Sequence, residues 1–383
     1  MRKESSRPES TLTTRSAAST LYLALELSHR EWKLAFTSGL AVKAQIRSVP
    51  AGDLARLREE IARARKVLAL AAKCRVLSCY EAGREGFWVH RALTSIGVVN
   101  VVVDSASIEV NRRRRRAKTD RLDAAALADL LVRYDLGGRR VLAAVRVPTP
   151  EQEDARQLHR ELCTAKHDRT RLINRVRGLL AGQGLRVETV HSDLDLAALR
   201  TWAGKPLLLG LARRLASELE RLGVLHRRIL ELEAERRHAL TLADTKASEQ
   251  AALLTRLRAI GPNSARLLAH ELFSWRDLRN RRQVGALAGL TPTPFTSGDT
   301  EREQGISKAG IRSVRYLAIE IAWGWLRFQP RSALARWYQK RFGKGGSRLR
   351  KIGIVALARK LLIALWRFVT FGEIPAGAKL KPA

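Results

Sequence analysis

The run Leu21-Tyr22-Leu23-Ala24-Leu25-Glu26-Leu27 is an apolar strand interrupted by one acid. A carboxylate inside such a strand is costly to bury unless a partner or a metal takes up its charge, which makes Glu26 a candidate functional residue. Two more strands follow after short links, at Trp32 to Phe36 and at Ala44 to Val49, and three early strands so connected read as a meander. A helix is predicted over Asp53 to Lys66, where Leu54, Leu57 and Ile61 recur at helical spacing. Arg75 to Glu81 is another strand ending in an acid, Phe87 to Ser95 a helix, and Val98 to Val103 a last buried strand.

The late element of this series is Lys118-Thr119-Asp120-Arg121-Leu122-Asp123, directly behind the arginine run Arg112, Arg113, Arg114, Arg115 and Arg116. The alanine- and leucine-rich stretch after it favours helix, so Asp120 and Asp123 project from one face of a first helical turn. Acids there can simply complement the helix dipole. They can also form half of a site for a hard divalent ion such as Mg²⁺, which binds through one or two carboxylates and phosphate oxygens. The order βββαβαβα is that of the RNase H-like fold. In that architecture acids at the ends of central strands and on a late helix converge on metal ions, and Glu26, Glu81, Asp120 and Asp123 occupy such places.

Charge narrows the partner. The chain of 383 residues carries 71 Lys and Arg against 37 Asp and Glu, a formal net charge of +34. That excess repels itself unless a polyanion is the habitual partner, which points to nucleic acid and makes a membrane surface the weaker alternative. No apolar run reaches the roughly 20 residues needed to span a bilayer. The first 19 residues, rich in Ser, Thr and Arg, read as a disordered basic arm. Cys74, Cys79 and Cys163 are odd in number and lack C-x-x-C spacing, against both zinc and a disulfide framework and in keeping with a reducing, cytoplasmic setting.

Past Val147-Pro148-Thr149-Pro150 the pattern becomes helical and charged. Leu158, Leu162, Ala165, Leu172, Val176 and Leu179 keep three- and four-residue spacing, as do Leu215, Leu222, Leu225, Ile229 and Leu232. Two such helices, broken near Gly182-Gln183-Gly184, suit an antiparallel hairpin or an intermolecular coiled coil. His159, His167, His191, His226 and His238 show no metal-ligand pattern and read as surface residues.

From Leu254 the sequence changes again. Leu257 to Leu268 reads as helix, tight turn at Gly261-Pro262, helix, similar to helix-hairpin-helix elements that meet a phosphate through backbone N–H groups. Ala288 to Asp299 reads as a stiff proline-bearing loop, and Ser307 sits where a helix N-cap belongs. Ser297 lies beside a glycine, with Arg302, Lys308, Arg312 and Arg315 close in sequence as phosphate contacts. Locally it is a turn residue of Thr-Ser-Gly-Asp. Trp337 and Tyr338, interleaved with basic residues, suit stacked bases, and Ile352 to Phe368 is a core helix with a basic face.

Tyr80-Glu81-Ala82-Gly83, Lys118 to Ala124, Gly289-Leu290-Thr291-Pro292 followed by Ser297-Gly298, and Ile306-Ser307-Lys308-Ala309-Gly310 occur in this order. In that combination the chain resembles, from about Leu21 to its end, the insertion-sequence transposases that pair an N-terminal RuvC-like DEDD domain with a C-terminal serine domain, the bridge-RNA-guided recombinases. The resemblance implies an α/β plus all-α chain: an arm over 1–19, an RNase H-like (RuvC-like) domain over 20–150, a helical coiled-coil or dimerisation region over 151–252, and a mainly helical transposase domain over 253–383. It matches Glu26, Glu81, Asp120 and Asp123 to the four metal-binding acids, with Glu26 in the place usually held by Asp, and Ser297 to the nucleophile. It further implies Mg²⁺, donor and target double-stranded DNA, a structured guide RNA, a homodimer or homotetramer whose protomers complement one another, and a bacterial, nucleoid-associated location.

Two other readings stay open on the residues alone. A RuvC-like Holliday-junction resolvase or nuclease would use the acids and water and leave Ser297 structural. A non-enzymatic nucleic-acid-binding protein would need only the charge.

Overall fold

The computed structural model of the protein describes residues 20–108, 120–138, 141–239, 245–297 and 300–382. The arm over 1–19, the run Arg112 to Arg116 and Lys118 lie outside the described residues. The chain divides into two compact units, Met1–Val147 and Pro148–Ala383.

In the first unit the strands are β1 (Thr20–Glu26), β2 (Glu31–Thr37), β3 (Gln45–Pro50), β4 (Arg75–Glu81) and β5 (Val99–Val103), and the helices α1 (Leu54–Val67), α2 (Trp88–Ser95) and α3 (Asp120–Asp135). The sheet order is β3-β2-β1-β4-β5. β1, β2 and β3 form an antiparallel meander, and β4 and β5 add in parallel beside β1. This mixed α/β arrangement is consistent with an RNase H-like domain.

β1 is central, and both its faces are covered. Leu21, Leu23 and Leu25 join Trp32, Leu34, Phe36, Leu57, Ile61, Val89 and Leu93 in the core toward α1 and α2. Tyr22 and Ala24 join Ala35, Leu77, Cys79, Leu127, Ala128 and Leu131 in the core under α3. Double coverage is why this strand is a nearly continuous apolar run rather than an alternating one. Asp53 caps α1 by accepting from the Arg56 N–H at 2.8 Å. All three cysteines are free, and burial pushes the Cys79 thiol far above its usual range.

The second unit holds α4 (Pro150–Asp154), α5 (Gln157–Ala181), α6 (Leu209–Ala239), α7 (Lys246–Thr255), α8 (Pro262–Leu268), α9 (Arg281–Leu287), the strands β6 (Pro292–Ser297) and β7 (Thr300–Ile306), and α10 (Arg312–Phe328), α11 (Ala333–Tyr338) and α12 (Ser347–Phe371). α5 and α6 pair antiparallel within one chain: Lys166 bridges Glu233 at 2.6 Å, while Arg175, further along α5, bridges Glu218, earlier on α6, at 2.8 Å. Leu162, Ala165, Ile229 and Leu232 fill one end of the seam, and Leu172, Val176, Leu180, Leu215, Leu219 and Leu222 the other. The link between the helices is longer than a turn at Gly182 requires. It folds back, with Leu185, Val187, Val190 and Leu194 packed on the same seam.

Three local expectations are corrected. The proline-bearing stretch is a strand, β6, paired with β7 across a register shift between Pro292 and Pro294. A two-stranded hairpin leaves edge positions where proline's missing N–H breaks no ladder. Ser307 caps no helix: α10 begins at Arg312 behind Ile311, and the Ser307 N–H donates instead to the Thr291 carbonyl at 2.8 Å. His159 is half-buried rather than a surface residue, its Nε2 lying 3.3 Å from Cys163 Sγ. His167, His191, His226 and His238 are exposed as expected.

Candidate active site

β1 and β4 run parallel and in register, Leu25 opposite Tyr80. One step further, at the C-terminal ends of both strands, stand Glu26 and Glu81. Side chains alternate along a strand, and Tyr22 and Ala24 on β1, like Leu77 and Cys79 on β4, face α3. Glu26 and Glu81 therefore share the α3 face. Both line a cleft of ≈ 400 Å³ together with Ser28, His29, Arg84 and Glu85.

α3 brings the other two acids to the same end. Its last residue, Asp135, accepts from Tyr22 Oη at 2.9 Å and is bridged by Arg75 at 2.9 Å, both at the starts of their strands. The helix thus runs antiparallel to β1 and β4. Further up, the Leu127 carbonyl lies 3.9 Å from Cys79 Sγ. From that level Asp123 is four residues back along the helix, about 6 Å. Glu81 is two residues on along the strand, about 7 Å. Asp123 therefore arrives at the level of Glu81, on the stripe of Leu127 and Leu131 that faces the sheet, and Asp120 lies one turn beyond it. Asp123 is half-buried and Asp120 exposed.

The four carboxylates are gathered at one end of the sheet but not closed into a cage. Among the described residues no group of three or more His, Cys, Asp or Glu is close enough to hold a metal ion. All four side chains carry carboxylate oxygens, the donor type that a hard divalent cation takes.

Sequence reasoning missed the rest of the cleft and one strand-end acid. Asp104 follows β5 directly, beside Glu81 through the Glu81–Val103 register, and its N–H donates to the Ala143 carbonyl at 2.9 Å. Its position after a buried strand was the signal. His29, Arg84 and Glu85 lie in loops after strand ends, where no periodicity marks them.

In the second unit Ser297 is the last residue of β6 and pairs with Thr300, the first of β7. The base of this hairpin is locked by the two glycine motifs. Gly289 and Gly310 both have positive φ, +65° and +108°, and a Cβ on Gly289 would run into the Ala309 carbonyl oxygen, one on Gly310 into that of Leu287. The Ile311 N–H donates to the Leu287 carbonyl at 2.7 Å and the Lys308 N–H to that of Gly289 at 3.1 Å. Arg315 Nη1 ties the two segments by donating to the carbonyls of Ala288 at 3.2 Å and Lys308 at 3.0 Å. Arg312 stacks over Tyr316 at 5.4 Å on the exposed face of α10. Arg302 lies on β7, paired with Phe295.

Known families match both units. Residues 251–339 match the model of the transposase IS116/IS110/IS902 family, and residues 55–183 match the DEDD transposase model of IS110 elements. The chain is also 41% identical to a protein named as transposase y4rJ from Sinorhizobium fredii, over 98% of each. The chain belongs to the IS110/IS116 transposase family. Other relatives of this transposase are a family 20 transposase of Pseudomonas aeruginosa, 30% identical over 66% of this chain and 72% of that one, and the transposase of element IS1328 of Yersinia enterocolitica, 27% identical over 67% and 73%. The DEDD match contains Glu81, Asp120 and Asp123, and the C-terminal match contains Ser297 and the interlocked glycines. Glu26 precedes the matched range, so its place in the site rests on the β1–β4 register. No helix among the described residues is long and apolar enough to cross a membrane.

Proposed function

We propose that this transposase cuts and rejoins DNA strands through a phosphoserine intermediate formed at Ser297. The observation that supports a metal-assisted phosphoryl transfer is the gathering of Glu26, Glu81 and Asp123 on one face at one end of the sheet, with Asp120 a turn away. Mg²⁺ held by these carboxylates would supply Lewis-acid polarisation of a phosphate oxygen and a lowered pKa for a bound hydroxyl. The acids keep the donor set all-oxygen and anionic.

Ser297 Oγ attacks the phosphorus of one phosphodiester, its proton leaving to solvent or base. A P–O bond to Ser297 forms as the bond to a deoxyribose oxygen breaks, and that oxygen leaves as a hydroxyl. A hydroxyl of the other DNA strand then attacks the phosphoserine and releases Ser297 unchanged. No bond energy is lost between the two steps, so no nucleotide hydrolysis is needed. Lys308, Arg302 and Arg312 supply cationic groups for the added charge on phosphorus, and Arg315 holds the base of the hairpin that carries the serine.

Donor and target double-stranded DNA are the substrates, a structured RNA encoded by the element selects them by base pairing, and a homodimer or homotetramer is the working assembly. Arg112 to Arg116 and Lys118 contact the phosphates. The setting is the bacterial cytoplasm, at the nucleoid. Alanine at Asp120 or Asp123 tests the acid site: strand cleavage disappears while DNA binding stays. Full activity in either variant refutes the metal-site reading.

A further inference from the structure

α10 buries one face and turns a different pattern outward. Val314, Ala318, Ile321, Ala322 and Trp325 are buried in the core of the second unit. Arg312, Tyr316, Glu320, Trp323 and Arg327 are all exposed. Spaced by four, four, three and four residues, they fall within about a quarter turn of one another on the opposite side of the helix. Phe328 ends the helix next to Arg327. The result is a stripe about 22 Å long, with a guanidinium at each end and aromatic rings between and beside them.

The rings are held out in solvent. Tyr316 is 58% exposed, Trp323 48% and Phe328 52%. A single exposed ring needs no explanation, but three on one helix beside two arginines form a patch. Arg312 lies over the Tyr316 ring at 5.4 Å, and Arg327 over that of Phe328 at 5.3 Å. A ring with a guanidinium on one face keeps the other for a second planar group.

Two kinds of partner take aromatic and arginine side chains together: another protein surface, and unpaired nucleotides. Charge separates them. The chain carries a formal net charge of +34, and the stripe holds two arginines against the single acid Glu320, so apposing the stripes of two copies brings like charges together. A polyanion reverses the sign. Bases inside a duplex are already stacked on one another, whereas an unpaired base has a free π-face. Glu320 repels phosphate from the middle of the stripe, where the rings are, and leaves it to the arginines at the ends.

We propose that the outer stripe of α10 is a stacking platform for unpaired nucleotides, with bases on Tyr316, Trp323 and Phe328 and backbone phosphates on Arg312 and Arg327. Strands exchanged between two duplexes unpair on the way, and this surface holds the opened bases. The inference takes from the proposed function only that the partner is a nucleic acid. It uses neither Ser297 nor the four acids.

The test is binding of the full-length protein, without Mg²⁺, to fluorescein-labelled oligothymidylate and to a duplex of equal length, followed by anisotropy across a salt series. With no metal present nothing is cleaved, so the outcome is independent of the nucleophile. Tyr316→Ala and Trp323→Ala should each weaken oligothymidylate binding about tenfold and leave duplex binding unchanged. Both side chains are exposed, so the variants should fold, and Tyr316→Phe and Trp323→Phe, which keep a ring, should bind as the wild type does. Arg312→Gln and Arg327→Gln should each flatten the salt dependence, which the aromatic variants leave as it is. Oligothymidylate binding undiminished in the Tyr316→Ala, Trp323→Ala double variant, or an equal loss on the duplex, would overturn the proposal. So would a change in that variant's sedimentation with its oligothymidylate affinity intact, which would assign the stripe to contact between copies.

Discussion

Glu26 and Glu81 stand side by side at the ends of two parallel strands, one step past the Leu25–Tyr80 pair and on the face covered by α3. Carboxylates brought side by side repel unless a cation lies between them. Glu81→Gln should leave the unfolding free energy unchanged or raise it by up to about 1 kcal/mol, while strand cleavage falls by orders of magnitude in both Glu81→Gln and Glu26→Gln. Urea unfolding and a cleavage assay on the same preparations check both halves. A variant that loses stability and keeps activity would mean the acids are structural.

Gly289→Ala and Gly310→Ala place a Cβ against backbone oxygen in a positive-φ conformation, where no flexible side chain can give way. Each should cost well over about 1 kcal/mol. The loss should appear in thermal unfolding, and hydrogen exchange should show faster opening at the base of the β6–β7 hairpin. Gly305→Ala, with positive φ but open space, should cost less than either.

Glu271→Gln removes the buried carboxylate that lies 3.8 Å from Arg156 and 3.1 Å from Arg160, leaving Glu153 as the acid that acts on Arg156. Breaking a buried ion pair on one side costs about 3 kcal/mol, and a midpoint shift of that order in urea is expected.

His270 gives the acid limb of the stability curve a definite sign. Its pKa in the folded state is lowered from 6.5 to about 4, by burial first and Arg266 second. Below pH 6.5 the unfolded chain takes up a proton that the folded chain refuses, so stability is complete above 6.5 and lost as pH falls toward 4. Unfolding followed from pH 7 to pH 4 should show this slope, shallower in His270→Gln.

Much of the first unit was legible because its strands are buried on both faces and its helices on one. Apolar runs and 3.6-residue spacing then mark the elements to within a residue or two, and Glu26 and Glu81 stand out against them. Asp120 and Asp123 were legible as a helix start, but only the Tyr22–Asp135 and Cys79–Leu127 contacts fix which way that helix lies on the sheet. The β6–β7 hairpin was hidden by its prolines, which mark loops far more often than edge strands. The seam between α5 and α6 was readable from leucine spacing. The contact of this helical pair with the segment after α8, from Arg156 and Arg160 to Glu271, is made by polar side chains on a flank that carries no period.

The central claim is that Ser297 is the nucleophile. Labelled donor DNA incubated with the protein, its element-encoded RNA and Mg²⁺, then resolved on a denaturing gel, should give a covalent protein–DNA adduct in the wild type and none in Ser297→Ala, which should also fail to cleave. An adduct or strand cleavage that survives Ser297→Ala would contradict the account, and cleavage without any adduct would favour a resolvase that uses the acids and water alone.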